Sequence, residues 1–224
     1  MVFIVNNVIY FLYMTNTIEI LGKIMGTTAR VKLIRLFLFH PDTAFTKEEL
    51  INKTKTQTSI VRTELLLLEK INFITRKNTI RITYRSTKKK ITQIKKKATV
   101  YELNPQFELI QPLSMLLIES ELVNIAELPN RFRGGGKLKL VVVSGVLLRN
   151  DDRPIDLLIV GDKLDLSATQ KTINIIESEI GKELRYAIFS TDDFLYRIKM
   201  YDKLIRDIFE FPHQKLLNQL GNFI

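Results

Sequence analysis

Across residues 46–103 the apolar side chains change their spacing, and that change restricts the fold more than any other feature of the chain. In Thr58–Lys70 the stripe Val61, Leu65 and Leu68 recurs at i, i+4 and i+7, the period that buries one face of a helix. In residues 79–85 (TIRITYR) apolar and polar residues alternate with period two, which favours a strand. Residues 71–76 also read as a strand, and 98–103 as a returning one, closed by Asn104-Pro105. Upstream the period is helical throughout. Ile18, Leu21 and Ile24 are spaced by three until Gly26 stops the run. A second helix from about Thr28 carries Ala29, Leu33, Leu36 and Phe37, and His40-Pro41 ends it, because proline disfavours helix at the residue before it. Thr46-Lys47-Glu48-Glu49 is a capping box opening a short helix to about Lys53, with Leu50 and Ile51 inward. The expected order is helix, helix, short helix, polar turn, helix, β-hairpin.

The charge is divided along the chain as sharply as the periodicity. The formal net charge is +10, but residues 1–104 hold 19 Lys and Arg against 7 Asp and Glu, whereas residues 105–224 hold 15 against 17. A basic unit joined to a nearly neutral one points to a polyanion-binding part and a part with another task. Within residues 71–101 stand ten basic side chains and no acidic one: Arg76, Lys77, Arg81, Arg85, Lys88, Lys89, Lys90, Lys95, Lys96 and Lys97. Absences narrow the chemistry. With no cysteine there is no disulfide, thiolate zinc site or cysteine nucleophile. His40 and His213, far apart in sequence, are the whole histidine complement, so a histidine-built metal site is disfavoured. No cofactor is implied.

A helix that enters the major groove needs an apolar face fixed to its domain and a small, polar, basic N-terminal end facing the bases. Thr58–Lys70 meets both demands. Gln57, Thr58, Ser59, Arg62 and Thr63 gather near its start, opposite the stripe. Arg62 suits bidentate pairing with guanine and Gln57 with adenine, while Lys55, Thr58 and Ser59 suit phosphate. A lysine run taken alone is as often a solvated surface, and it is the basic hairpin directly after such a helix that favours duplex DNA. Aromatic residues are sparse there (Phe73, Tyr84, Tyr101), which argues against stacking on a single strand.

Residues 106–127 read as an apolar linker helix, with Phe107, Ile110, Leu113, Leu117 and Leu122 as core positions. Residues 128–136 (LPNRFRGGG) read as the clearest loop and place the domain boundary; the glycines lack a phosphate-loop arrangement and read as a flexible joint. Beyond lie β runs at 137–148 and 155–160, a helix at about 167–180, a strand at about 184–189 and helices from Asp192, an α/β layer pattern. Residues 1–14 are almost wholly apolar, too short for a membrane span and unlike a signal peptide. They suit an element packed on the domain, a partner surface, or a start upstream of a true beginning at Met14.

The segments ILGKIMGTTARVKLIRLFLFHP, FTKEELINKTKTQTSIVRTELLLLEKINFI and YELNPQFELI resemble bacterial and archaeal winged helix-turn-helix regulators. The likeness covers about half the chain and implies a duplex-binding, often dimeric protein with contacts on Gln57, Thr58, Ser59 and Arg62. Residues 137–221 resemble minimal nucleotidyltransferase domains through LKLVVVSGVLL, IDLLIVGD, ELRYAIFS and TDDFLYRI. Active members hold nucleotide phosphate on a Gly-Ser turn and two Mg²⁺ on three carboxylates. Here the turn is reversed to Ser144-Gly145, Pro154 stands at the first aspartate position, Asp156 alone keeps the second, and the strand at 184–189 has no acid. Asp151 and Asp152 would substitute only with a rebuilt loop. The expectation is an α+β protein: a winged helix (three-helix bundle plus β-hairpin wing) over residues 15–105, a linker over 106–136, and a small α/β nucleotidyltransferase-like domain over 137–224. Its expected role is a cytoplasmic, homodimeric transcriptional regulator that binds duplex DNA, with a non-catalytic nucleotidyltransferase-like domain for dimerisation or ligand sensing. The alternative is a Mg-dependent nucleotidyltransferase acting on a nucleic-acid or protein substrate.

Overall fold

The computed structural model describes residues 3–5, 8–10, 17–87, 90–119, 123–150 and 153–221; of residues 3–5, 8–10, 82–87 and 90–94 it describes the backbone alone. The chain is a mixed α+β protein, and none of the described helices is long and apolar enough to cross a membrane. A short hairpin, β1 (Phe3–Val5) and β2 (Val8–Tyr10), precedes helices α1 (Thr17–Met25) and α2 (Thr28–Phe39). The two-residue strand β3 (Phe45–Thr46) leads into α3 (Lys47–Thr54), and α4 (Thr58–Lys70) follows. The hairpin strands β4 (Ile74–Thr87) and β5 (Lys90–Leu103) complete a sheet of order β3-β5-β4. Residues 71–76 and 79–85 thus belong largely to one continuous strand rather than two.

Around this frame the expected stripes are buried. Leu33, Leu36 and Phe37 of α2, Leu50 of α3, and Val61, Leu65 and Leu68 of α4 form one core with Phe73, Ile74 and Leu103. Ile24 is an exception: Ile18 and Leu21 turn inward, but Ile24 is 72% exposed. The capping box forms as the sequence predicts, with Glu49 N donating to Thr46 Oγ1 at 3.2 Å and Thr46 N to Glu49 Oε2 at 2.7 Å. Burial pushes the Glu49 carboxyl up, but the hydrogen bonds from Thr46 and Arg81 outweigh it and hold the group below its usual range.

The linker helix is shorter than expected. α5 covers Ile110–Leu117 only, and Leu122 lies outside the described residues. Arg35, wholly buried, donates from Nε to Leu117 O at 2.9 Å and so takes one of the carbonyls that a helix end leaves open. The segment read as a loop is not one. It forms the helical turn α6 (Leu128–Arg131) and a 3-10 turn (Arg133–Gly135), with Leu128 and Phe132 in a core. Asp165 N donates to Gly135 O at 2.7 Å, so the glycine run is docked rather than a flexible joint.

The second half is a four-stranded sheet of order β8-β7-β6-β9, made of β6 (Lys137–Val143), β7 (Leu157–Asp162), β8 (Tyr186–Phe189) and β9 (Gln214–Asn218). β6 is antiparallel to β7 and β9, and β7 is parallel to β8 through α7 (Leu166–Ile180). The helices α8 (Thr191–Lys199) and α9 (Lys203–Glu210) pack through Phe194, Ile205 and Ile208 against Leu140, Val142, Leu158 and Val160. β6 stops seven residues in, because residues 145–148 turn into a 3-10 helix, and β9 is a strand where only helix was expected.

The two halves are joined at helix C-termini. Arg35 Nη1 donates to Glu179 O at 2.8 Å near the end of α7, and Lys32 Nζ donates to Thr54 O at 3.2 Å and to Ser178 Oγ at 3.0 Å. Arg131 forms a two-pronged pair with Glu179 at 2.7 and 2.9 Å. Burial pulls the Arg35 guanidinium down to about 10, against the opposing pull of Glu179. Cations suit this place because the open carbonyls of helix ends carry partial negative charge.

Candidate nucleic-acid interface and the turn around Asp156

The start of α4 is presented to solvent. Lys55, Gln57, Thr58, Ser59, Arg62 and Thr63 are all exposed, while Val61, Leu65 and Leu68 hold the other face in the core. Lys55 takes the left-handed conformation (φ 51°) that turns the chain from α3 into α4. Gln57 is the N-cap but makes no side-chain cap bond, which leaves the first amide groups of α4 open to an acceptor. Thr63 donates to Ser59 O at 3.1 Å. Among the described residues Arg62 has no ion-pair partner.

One residue that sequence reasoning did not single out fixes this helix. Glu64, buried in the middle of α4, accepts from Thr27 Oγ1 at 2.7 Å and from Arg30 Nε at 2.8 Å, and Thr27 in turn caps α2 by accepting from Arg30 N at 3.0 Å. An acidic residue at the edge of an apolar stripe, opposite a basic segment, was the available signal.

The basic hairpin divides its charge. Paired residues in the ladder share a face, and neighbours along a strand alternate. With Ile80 opposite Lys97 and Arg81 opposite Lys96, the side of Arg76 also holds Lys95 and Lys97, while Lys77, Arg81 and Lys96 lie on the other. The consecutive lysines 95–97 therefore cannot all address one surface. Two of the cations are already engaged: Arg81 binds Glu49 and Ala44 O, and Lys77 binds Glu102. Arg76, Lys95, Lys96 and Lys97 are exposed and, among the described residues, have no ion-pair partner. Lys88 and Lys89 lie outside the described residues, and for Arg85 and Lys90 only the strand backbone is described.

The second candidate constellation is closed. Asp156 is 1% exposed and its carboxylate accepts four hydrogen bonds: Val146 N at 2.8 Å and Arg185 Nη2 at 2.9 Å on Oδ1, Arg185 N at 2.8 Å and Arg185 Nε at 3.0 Å on Oδ2. Ser144 Oγ donates to Ile155 O. Gly145 has φ +55°, and a Cβ there would sit 2.0 Å from Asp156 Oδ1, so only glycine lets the turn close on the carboxylate. Ser144, Gly145 and Asp156 thus tie the turn after β6 to the start of β8. Asp151 and Asp152 lie outside the described residues, and among the described residues no group of three potential ligand side chains is placed to hold a metal.

A small cleft of about 170 Å³ lies where α2, the end of α3 and α7 meet, lined by Lys32, His40, Lys53, Glu177 and Glu183 among others. Part of its charge is committed within the molecule. Lys53 pairs with Glu183 at 2.8 Å, which lowers the Glu183 carboxyl, and Glu177 accepts from Leu184 N at 2.8 Å. Comparison with known proteins finds no family model, no curated protein and no solved structure that matches this chain.

Proposed function

We propose that the chain is a duplex-DNA-binding transcriptional regulator that inserts the start of α4 into the major groove and lays the β4–β5 hairpin along the phosphate backbone. The observation that carries this reading is the solvent-facing N-terminal end of α4, with Gln57, Thr58, Ser59 and Arg62 exposed on a helix whose opposite stripe is fully buried. The element order α2, β3, α3, α4, β4, β5 with strand order β3-β5-β4 supports it, since a winged helix needs a short strand between its first two helices and the hairpin docked beside it. Glu64 supports it too, because a reading helix has to be held at a fixed angle to its domain. The wing contributes chiefly through Arg76, Lys95 and Lys97, which share one side of the hairpin, as Lys77 and Arg81 on the other side face competing carboxylates.

Titration of a fluorescent duplex across a salt series tests the proposal. With about six phosphates neutralised, affinity falls about 10³-fold or more between roughly 50 and 200 mM salt. Arg62→Ala relaxes base preference at one position, whereas combined Arg76→Ala, Lys95→Ala and Lys97→Ala weakens all duplexes alike and flattens the salt slope. No binding at low salt, or binding indifferent to both sets, refutes it.

A further inference from the structure

The cleft at the seam between the halves lies beside the turn that leads into α4. Lys53 and Lys55 line it from the first half, and Lys182 and Glu183, in the turn after α7, line it from the second. Lys55 is two residues before Gln57, the cap of α4. The electrostatics order the three lysines. Burial pushes the Glu177 carboxyl up, while Lys53 and Lys55 pull it down. Burial lowers the His40 ring, and Lys53 and Lys182 lower it further. Lys53 acts on both groups and each of the others on one, so Lys53 stands between Lys55 and Lys182. A row of ammonium groups therefore runs from the start of α4 across the seam onto the second half.

The carboxylates of the cleft do not cancel this row. Four lysines line the cleft against Glu177 and Glu183. Lys32, the fourth, is spent on Thr54 O at the end of α3 and on Ser178 Oγ. Glu177 accepts from Leu184 N, and Glu183, 80% exposed, holds Lys53 at 2.8 Å. Separate ammonium groups act as point charges and suit phosphates, whereas no arginine fork lines the cleft to pair with a base edge. The helix before a reading helix crosses the DNA backbone, and Lys53 belongs to that helix. Building on the duplex reading of α4, we infer that the phosphate backbone beside α4 passes over the seam along Lys55, Lys53 and Lys182. The second half, although nearly neutral overall, thereby contributes a DNA contact of its own through Lys182. Glu183 works against this contact, because it has to yield Lys53 to phosphate.

Opposite charge changes on the two sides of the row give the test. The full chain is titrated with a fluorescent duplex across a salt series, with circular dichroism as the fold control. Lys182→Ala weakens binding and flattens the slope of log affinity against log salt by about 0.9, the share of one phosphate. Lys182→Arg keeps both near the wild type, because the contact depends on charge. Glu183→Gln tightens binding on the order of two- to fivefold by releasing Lys53 from an exposed pair. Damage to the seam alone would not make the two neutralised variants move in opposite directions. Wild type that binds duplex while Lys182→Ala and Glu183→Gln leave affinity and slope unchanged, or shift affinity the same way, overturns this inference and spares the reading of α4. Wild type that does not bind at low salt overturns both.

Discussion

The start of α4 and the turn around Asp156 are both polar clusters that chemistry singles out, yet they are built in opposite ways. At α4 the polar groups face water, the helix has no side-chain cap, and the only buried charge, Glu64, anchors the helix from behind. At the turn the charge itself is buried, and every acceptor direction of Asp156 is filled by Val146 or Arg185. A surface poised to meet a partner keeps its hydrogen bonds unspent, whereas a structural joint uses all of its own. The residue types alone do not separate the two; the partners within the molecule do.

Removing one member of each cluster separates them by size of effect. Asp156→Ala leaves the amides of Val146 and Arg185 without their acceptor and frees the turn, and a buried donor left unsatisfied costs about 1–3 kcal/mol. Urea unfolding reads this as a large fall in midpoint, and a change below about 1 kcal/mol would erase the contrast drawn here. Arg62→Ala costs about 1–3 kcal/mol in duplex affinity at the preferred site and, being exposed, less than about 0.5 kcal/mol in stability. Thr46→Ala removes one side of the capping box and costs about 1 kcal/mol of stability, with a further loosening of the Glu49 contact that holds Arg81 against α3. The smallest effect belongs to His40. Burial, aided by the Lys53 ammonium, pushes its pKa below the ordinary histidine value. The folded protein then holds that proton less tightly than the unfolded chain, so the contribution of His40 to stability is full above its unfolded pKa and declines as pH falls through and below it. His40→Gln makes the loss of stability between about pH 7 and about pH 5 shallower, and an unchanged slope would place the titration elsewhere.

Much of the first half was legible because its signals are local. The stripe of α4, the capping box at Thr46 and the stop at Gly26 each depend on residues within one or two turns. The hairpin was legible in its alternation but not in its length, since long polar runs such as Lys95–Lys96–Lys97 pair only by register with the opposite strand. The segment at 128–136 misled because glycine and proline mark turns in general, while here Leu128 and Phe132 carry it into a core formed by residues far along the chain. β9 escaped for a related reason: Gln214–Asn218 becomes a strand by pairing with β6, not by its own pattern. The fate of Asp156 was half visible, as a lone acid in a site that needs three. Its partner Arg185 lies 29 residues away, and its spacing does not announce it.

Arg35 has a consequence for anyone who would cut this protein in two. Its guanidinium lies at the seam, bonded to Leu117 O at the end of α5 and to Glu179 O near the end of α7. Expressed alone, a fragment ending near residue 119 would lose that acceptor and open to water the apolar and polar groups that the seam covers. Such a piece should unfold more readily than its own core composition suggests, and adding back the remainder should restore it only if α7 re-forms its end. The two halves are therefore distinct in charge but mechanically a single body.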